Sequence, residues 1–266
     1  MPNRIVDPLF KKGGEIMNST LGWLNEDKFV DAINEKRFKD IDNSLKFFLS
    51  FLFPYAKEHD KFYCSKTEDF VKPDICVQWK DKRVFVSLKT GITNTVHGEF
   101  LDTFCQFLLD KKVPQKHVIT FKRFCYGDGT TDGTGKVRKQ AYEVRMELAR
   151  EIEEFNKYFE EHKEVVREVV SRCLFDGVNP DAYKADYLYY GNVEYGNFVS
   201  KKQVMNHIER KSWMFMDCPH IGPLVVRPHA RYAGKEILNE NNRHRVTITW
   251  PNLLPDVQYI QRRFNY

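Results

Sequence analysis

The sequence predicts an α/β protein: a mixed β-sheet core flanked by helices, followed by a long helical insertion and a C-terminal α+β extension. Three observations carry that expectation. An apolar repeat of helical spacing runs from Arg37 to Tyr55, two alternating segments joined by a short polar stretch span Asp74 to Lys89, and a second helical seam extends from Val137 to Val170.

Taken in order, Asn25 to Ile33 suggests a short outer helix. Phe38, Ile41, Leu45, Phe48, Leu49 and Leu52 then recur at helical spacing until Pro54 ends the run. Phe62 to Cys64 reads as a first strand and Asp74 to Trp79 as a second. Lys80-Asp81-Lys82 suits a hairpin turn into a third strand that closes at Lys89. In that strand Val84, Val86 and Leu88 share one face, which leaves Arg83, Phe85, Ser87 and Lys89 on the other. A helix is expected to begin near Thr95, with Val96, Phe100, Leu101, Phe104, Phe107 and Leu108 on one arc and Glu99, Thr103 and Gln106 bordering it. His117 to Phe121 reads as another strand.

Gly127 to Gly135 is a glycine-rich loop. It is not a phosphate-binding loop, because Lys136 is followed by Val137, nor an EF-hand, because Lys139 stands where the twelfth-place glutamate belongs. Val137, Ala141, Val144, Leu148, Ile152, Phe155 and Phe159 form a seam continued by Val165, Val166, Val169 and Val170. One unbroken helix to Arg172 would span about 50 Å as an arm; one or two amphipathic helices covering the sheet are the alternative. The last third shows strands at Asp186 to Tyr190, Ile221 to Arg227 and Arg245 to Trp250, and a helix at Lys201 to Lys211. The expected organisation is one elaborated domain, with a core over about 37–124, a helical arm over about 136–172 and a basic extension over about 173–266.

A chain of 266 residues can bury a substantial core, and its net charge of +5 is compatible with a polyanionic partner. The six cysteines form no C-x-x-C pair, which argues against a zinc site of the usual spacing and reads as reduced core thiols. His97, His117, His220, His229 and His244 lack ligand-like spacing, so none is assigned to a metal. Charged residues and Pro2 interrupt the N-terminus, and the most apolar run, Phe47 to Phe53, is too short for a membrane span. A cytoplasmic protein with no membrane partner is expected.

Asp74 opens one strand of the hairpin and Lys89 closes the next, so antiparallel pairing sets a carboxylate beside an ammonium group, close enough to share one phosphate. Pro73-Asp74 followed by Ser87-Leu88-Lys89 resembles the PD-(D/E)XK nuclease superfamily, the restriction-endonuclease-like fold, whose motif is Pro-Asp, a variable gap, then an acid, any residue and Lys. Ser87 departs from it by occupying the place of the second acid. The resemblance covers roughly Arg37 to Phe124. It implies a hydrolase, a Mg2+-dependent DNA endonuclease of restriction type, with Mn2+ as a substitute cation. In that reading Asp74 and Glu99 hold the metal, Lys89 stabilises the transition state, and Ser87 orients a water or ligand. Restriction enzymes of this superfamily that keep Ser-X-Lys look similar in taking the missing carboxylate from the following helix. Glu99 is the first choice there and Asp102 the second, with Glu35 and Asp42 as further acids from earlier helices.

Basic residues gather near the last strands, and Arg227, Arg231, Arg243 and Arg245 are candidates for phosphate contact. The glycine-rich loop either lies beside bound nucleic acid or is a plain solvent loop. The helical arm offers a route to a homodimer that cuts both strands of a duplex. The sequence leaves DNA against RNA open, and it leaves two competitors standing: a nucleic-acid binder that keeps the fold without cleaving, and a structural or assembly protein.

Overall fold

The computed structural model describes residues 22–68, 71–90, 94–213, 218–229 and 240–264. In chain order the elements begin with helices α1 (22–33) and α2 (Asn43–Leu52), then strands β1 (Phe62–Lys66), β2 (Ile75–Trp79), β3 (Lys82–Lys89) and β4 (Thr95–Phe100). Helices α3 (Leu101–Asp110), α4 (Gln115–Tyr126), α5 (Ala141–Glu147), α6 (Ala149–Glu161) and α7 (Lys163–Ser171) follow. The chain continues through β5 (Tyr187–Gly191), β6 (Gly196–Ser200), α8 (Lys201–Arg210), β7 (His220–Ile221), β8 (Leu224–Pro228), α9 (Glu240–Arg243), β9 (Arg245–Thr249) and α10 (Leu253–Phe264). The protein is therefore mixed α/β, with helices packed on two separate sheets.

These elements form two compact units, one made of residues 1–93, 174–204 and 254–266, the other of 94–173 and 205–253. The core expected over 37–124 and the extension expected from 173 do not follow that division, since β5 and β6 complete the first sheet.

In the first unit the strand order is β1-β2-β3-β5-β6. β1, β2 and β3 form an antiparallel meander, β3 pairs β5 in parallel, and β5 pairs β6 antiparallel. Alternation decides which face is covered: Phe62, Ile75, Val77, Val86 and Leu88 pack with Tyr189 and Phe198 against Phe29 and Ile33 of α1 and Leu45, Phe48 and Leu49 of α2. Each fully buried phenylalanine here contributes about 1.5–3 kcal/mol by leaving water. The turn between β2 and β3 is tighter than the three-residue stretch expected, because Trp79 pairs with Lys82 and Lys80 takes a left-handed φ of 56°. The helix expected from Arg37 to Tyr55 is shorter, with a 3-10 turn at Phe38–Asp40 and extended backbone at Ile41 and Asp42 before α2 begins.

In the second unit the strand order is β4-β9-β8-β7, antiparallel throughout. Rings carry the packing of its helices, with Phe104 on Phe121 at 5.7 Å, Phe121 on Phe155 at 6.0 Å and Phe155 on Phe159 at 4.8 Å.

Two expectations fail in this unit, and for a third the amphipathic helices hold instead of the single arm. Residues Thr95–Phe100 are a strand and the helix starts only at Leu101, since β-branched Thr95 and Val96 followed by His97 and Gly98 are poor helix formers. His117 to Phe121 lies inside α4, where His117, Val118, Phe121, Phe124 and Cys125 are buried at helical spacing between Pro114 at the N-cap and left-handed Gly127 at the C-cap. The seam after Val137 is three helices broken at Leu148 and His162, so no 50 Å rod exists, and its apolar residues Val144, Ile152, Phe155, Phe159, Val165, Val166, Val169 and Val170 are buried. Among the described residues no helix is long and apolar enough to cross a membrane.

Candidate functional site

Asp74 sits just before β2, and its backbone joins the sheet through an N–H donated to the Val86 carbonyl at 2.9 Å. Its carboxylate turns toward the end of β3. There Oδ2 accepts the Leu88 N–H at 2.5 Å and the Ser87 hydroxyl at 3.2 Å, and it stands 4.0 Å from Lys89 Nζ. Lys89 also donates to the Leu88 carbonyl at 3.0 Å. Asp74, Ser87 and Lys89 are thus brought together where the interior strands β2 and β3 of the first sheet begin and end.

Ser87 is fully buried and spends its hydroxyl on Asp74. Its observed work is to fix that carboxylate, an orienting hydrogen bond where the resembling motif has an acid. Thr67 steadies the same corner by donating its hydroxyl to the Pro73 carbonyl and its N–H to the Asp74 carbonyl at 3.2 Å.

A third group, which the sequence reading passed over, is Glu26 of α1. The helix is held on the ends of β5 and β6 by Asn25 Nδ2, which donates to the Gly191 carbonyl at 3.2 Å, and by the edge-on contact of Phe29 with Tyr189 at 5.0 Å. Burial pushes the Glu26 carboxyl up, and the neighbouring Asp74 charge adds to it against the pull of Lys66 and Lys89, so that it ionises only at about 7. Lys66 lies 3.8 Å from Glu26 and 2.6 Å from Asp27. A signal for Glu26 was present in the sequence: it stands three residues before Phe29 and seven before Ile33, a charge inside the apolar stripe of its helix.

The other expected acids lie elsewhere. Glu99 is a strand residue of the second unit and not a helix-border residue, and its side chain is buried. It accepts Arg172 Nε at 3.0 Å and Nη2 at 2.7 Å, and His97 Nε2 stands 3.0 Å away. Burial pushes its carboxyl up, but the His97 and Arg172 hydrogen bonds outweigh that and hold it below the ordinary range. A carboxylate compensated in this way closes an internal ion pair, and it is not assigned to a metal. Asp102 is exposed and pairs with Lys122 at 2.6 Å, and Glu35 pairs at the surface with Lys61 at 3.7 Å. Asp42 is an exposed N-cap of α2.

Of the arginines expected at phosphates, Arg243 is committed inside the second unit, donating to Asp128 Oδ2 at 2.6 Å and to the Gly135 carbonyl at 2.5 Å. That pair, with Thr130 donating to Asp128, organises the glycine-rich loop around a buried carboxylate. Arg245 lies over the Phe100 ring at 4.9 Å, Arg227 is exposed, and Arg231 lies outside the described residues. All six cysteines are free thiols; burial pushes those of Cys64 and Cys105 up to about 12.

Among the described residues no three His, Cys, Asp or Glu side chains cluster as a metal cage. Mg2+ does not need one, because it is commonly held by one or two carboxylates together with waters and substrate phosphates. Asp74 and Glu26 fit that pattern: two carboxylates, both partly exposed, one kept protonated near neutrality by burial and by the charge of the other. A cation between them would relieve that repulsion. No protein-family model and no curated protein matches the chain.

Proposed function

We propose that the protein is a Mg2+-dependent endonuclease that hydrolyses phosphodiester bonds in DNA, with its working site at Asp74, Lys89 and Glu26. The observation that carries the reading is the meeting of Asp74, Ser87 and Lys89 at the end of the β2–β3 hairpin, around a carboxylate fixed by two hydrogen bonds, with Glu26 near enough for the charges of Asp74 and Lys89 to act on it. The chain order of the first unit supports it too: a helix, a three-stranded antiparallel meander and a later parallel strand are what the restriction-endonuclease-like core expected from Pro73-Asp74 and Ser87-Leu88-Lys89 would require. In this proposal β5, and not the segment His117–Phe121, supplies the strand that follows the meander.

Asp74 and Glu26 would hold the cation, which when bound supplies Lewis acidity toward a phosphate ester. The Leu88 N–H and the Ser87 hydroxyl keep Asp74 oriented. Lys89 presents its ammonium group beside that carboxylate, where it offsets charge building on the phosphoryl oxygens in the transition state. Glu26 must give up its proton before it can act as a ligand, which makes the site more competent as pH rises through about 7.

Incubating the purified protein with plasmid and genomic DNA across Mg2+, Mn2+ and Ca2+ tests the proposal, with sequencing of any cut ends. Metal-dependent products that vanish in Lys89→Met are expected. The burial of Ser87 and the absence of a second motif acid favour one competitor, a binder that keeps this architecture without cleaving. Salt-sensitive DNA binding with no products in any metal would establish that reading and overturn the first.

A further inference from the structure

We propose that the cavity beside the Asp74 cluster takes one unstacked nucleobase of the substrate strand, laid against the rings of Phe85 and Tyr183 and contacted at its edge by Arg83. That the ligand is a nucleotide rests on the nuclease reading above. The cavity, of about 500 Å³, lies within the first unit along strands β1, β2 and β3, and its volume is within the usual range for small-molecule sites.

Strand geometry ties it to the working site. Cys76 follows Asp74 by two residues and Phe85 precedes Ser87 by two, so each pair shares a face, and Cys76 and Phe85 are register partners. The cavity floor therefore begins roughly 7 Å along the sheet from the carboxylate. Lys66, which lines the cavity, is the same residue that pairs with Glu26 and Asp27.

The lining is what a base needs. Phe85 and Tyr183 stack at 4.5 Å with their planes 17° apart, and Tyr183 keeps 57% of its surface in water. The stack is held by the backbone, since the Phe85 N–H donates to the Asp186 carboxylate at 2.9 Å and the Asp186 N–H to the Phe85 carbonyl at 2.8 Å. An aromatic platform fixed at the rim of a cavity can accept a further ring of any sequence. Arg83 uses Nε on Gln78 Oε1 at 3.2 Å, and among the described residues its two terminal amino groups have no partner. A fork of donors matches adjacent acceptors on a base edge, such as O6 and N7 of guanine. Glu68, also at the lip, disfavours a phosphate there, so the base enters and the backbone stays outside.

The test is the fluorescence of single-stranded oligonucleotides carrying one 2-aminopurine, titrated with the protein in EDTA so that nothing is cut. The wild type should change the probe's emission on binding. Tyr183→Leu should abolish that change and weaken binding about 5- to 150-fold, the ratio given by ~1–3 kcal/mol of base–aromatic stacking. Arg83→Met should weaken guanine-containing strands more than others. A wild type that binds no oligonucleotide, or a Tyr183→Leu variant with wild-type melting temperature, affinity and emission change, overturns the pocket. Plasmid cleavage by the wild type with an unaltered Tyr183→Leu would leave the nuclease standing and remove the pocket. Tyr183-dependent stacking with no cleavage in any metal would keep the pocket and remove the nuclease.

Discussion

Replacing Glu26 with glutamine removes a charge without changing shape, and its consequence can be worked from the surroundings of that carboxyl. Glu26 ionises at about 7 in the folded protein against an ordinary value of 4.5. At 1.36 kcal/mol for each tenfold change in proton affinity, the displacement sets an upper bound of roughly 3 kcal/mol. A fifth of the side chain is in water and Lys66 stands nearby, so screening reduces the effect to about 1–2 kcal/mol. The sign follows from the raised value: its contribution to stability is fully present below pH 4.5 and is lost as pH rises through about 7. Wild type and Glu26→Gln should therefore melt together near pH 5, whereas above pH 8 the variant should be the more stable, by about 2–4 °C for a chain of this size. Thermal melts in EDTA from pH 5 to 9 measure this. Adding Mg2+ at pH 8 to about a hundred times its Kd should reverse the order, because a ligand at that concentration stabilises the wild type by roughly 2.7 kcal/mol and the variant lacks one of the two carboxylates that hold it. Parallel pH curves for the two proteins, or an equal response to Mg2+, would refute the placement of Glu26 beside Asp74.

Arg172→Met should destabilise the protein by about 3–5 kcal/mol in denaturant melts at pH 7, because it strands the buried Glu99 charge. The loss should shrink as pH falls, since the wild-type ion pair itself fades once Glu99 is protonated below its ordinary range. Gly191→Ala should cost about 3 kcal/mol by the same assay, because Gly191 has a φ of 139° and an added Cβ would collide with the Tyr195 carbonyl oxygen.

What could be read in advance was set by local period. The β2–β3 hairpin is legible because Ile75, Val77 and Trp79 alternate along β2, Val84, Val86 and Leu88 share one face of β3 and both ends are polar, and α2 because Leu45, Phe48, Leu49 and Leu52 repeat cleanly before Pro54. Two segments misled for opposite reasons. His117-Val-Ile-Thr-Phe121 has the composition of a strand, yet Pro114 and Gly127 bracket it as a helix and its buried positions follow that period. Thr95–Phe100 was absorbed into the apolar arc of the helix behind it, although Gly98 argued against helix. Glu99 followed that error, and its partner Arg172 lies 73 residues away, beyond any local pattern. The strand parallel to β3 comes after the entire 94–173 segment, and no periodicity in the first half of the chain announces that return.

The most direct measurement is Mg2+-dependent nicking of supercoiled plasmid by the wild type and by Asp74→Asn, which keeps the side-chain shape and an oxygen for the Leu88 N–H. The wild type should convert plasmid to nicked and linear forms, and the variant, with an unchanged circular dichroism spectrum, should leave it supercoiled. Equal cutting by both proteins would contradict a working site at Asp74, Lys89 and Glu26.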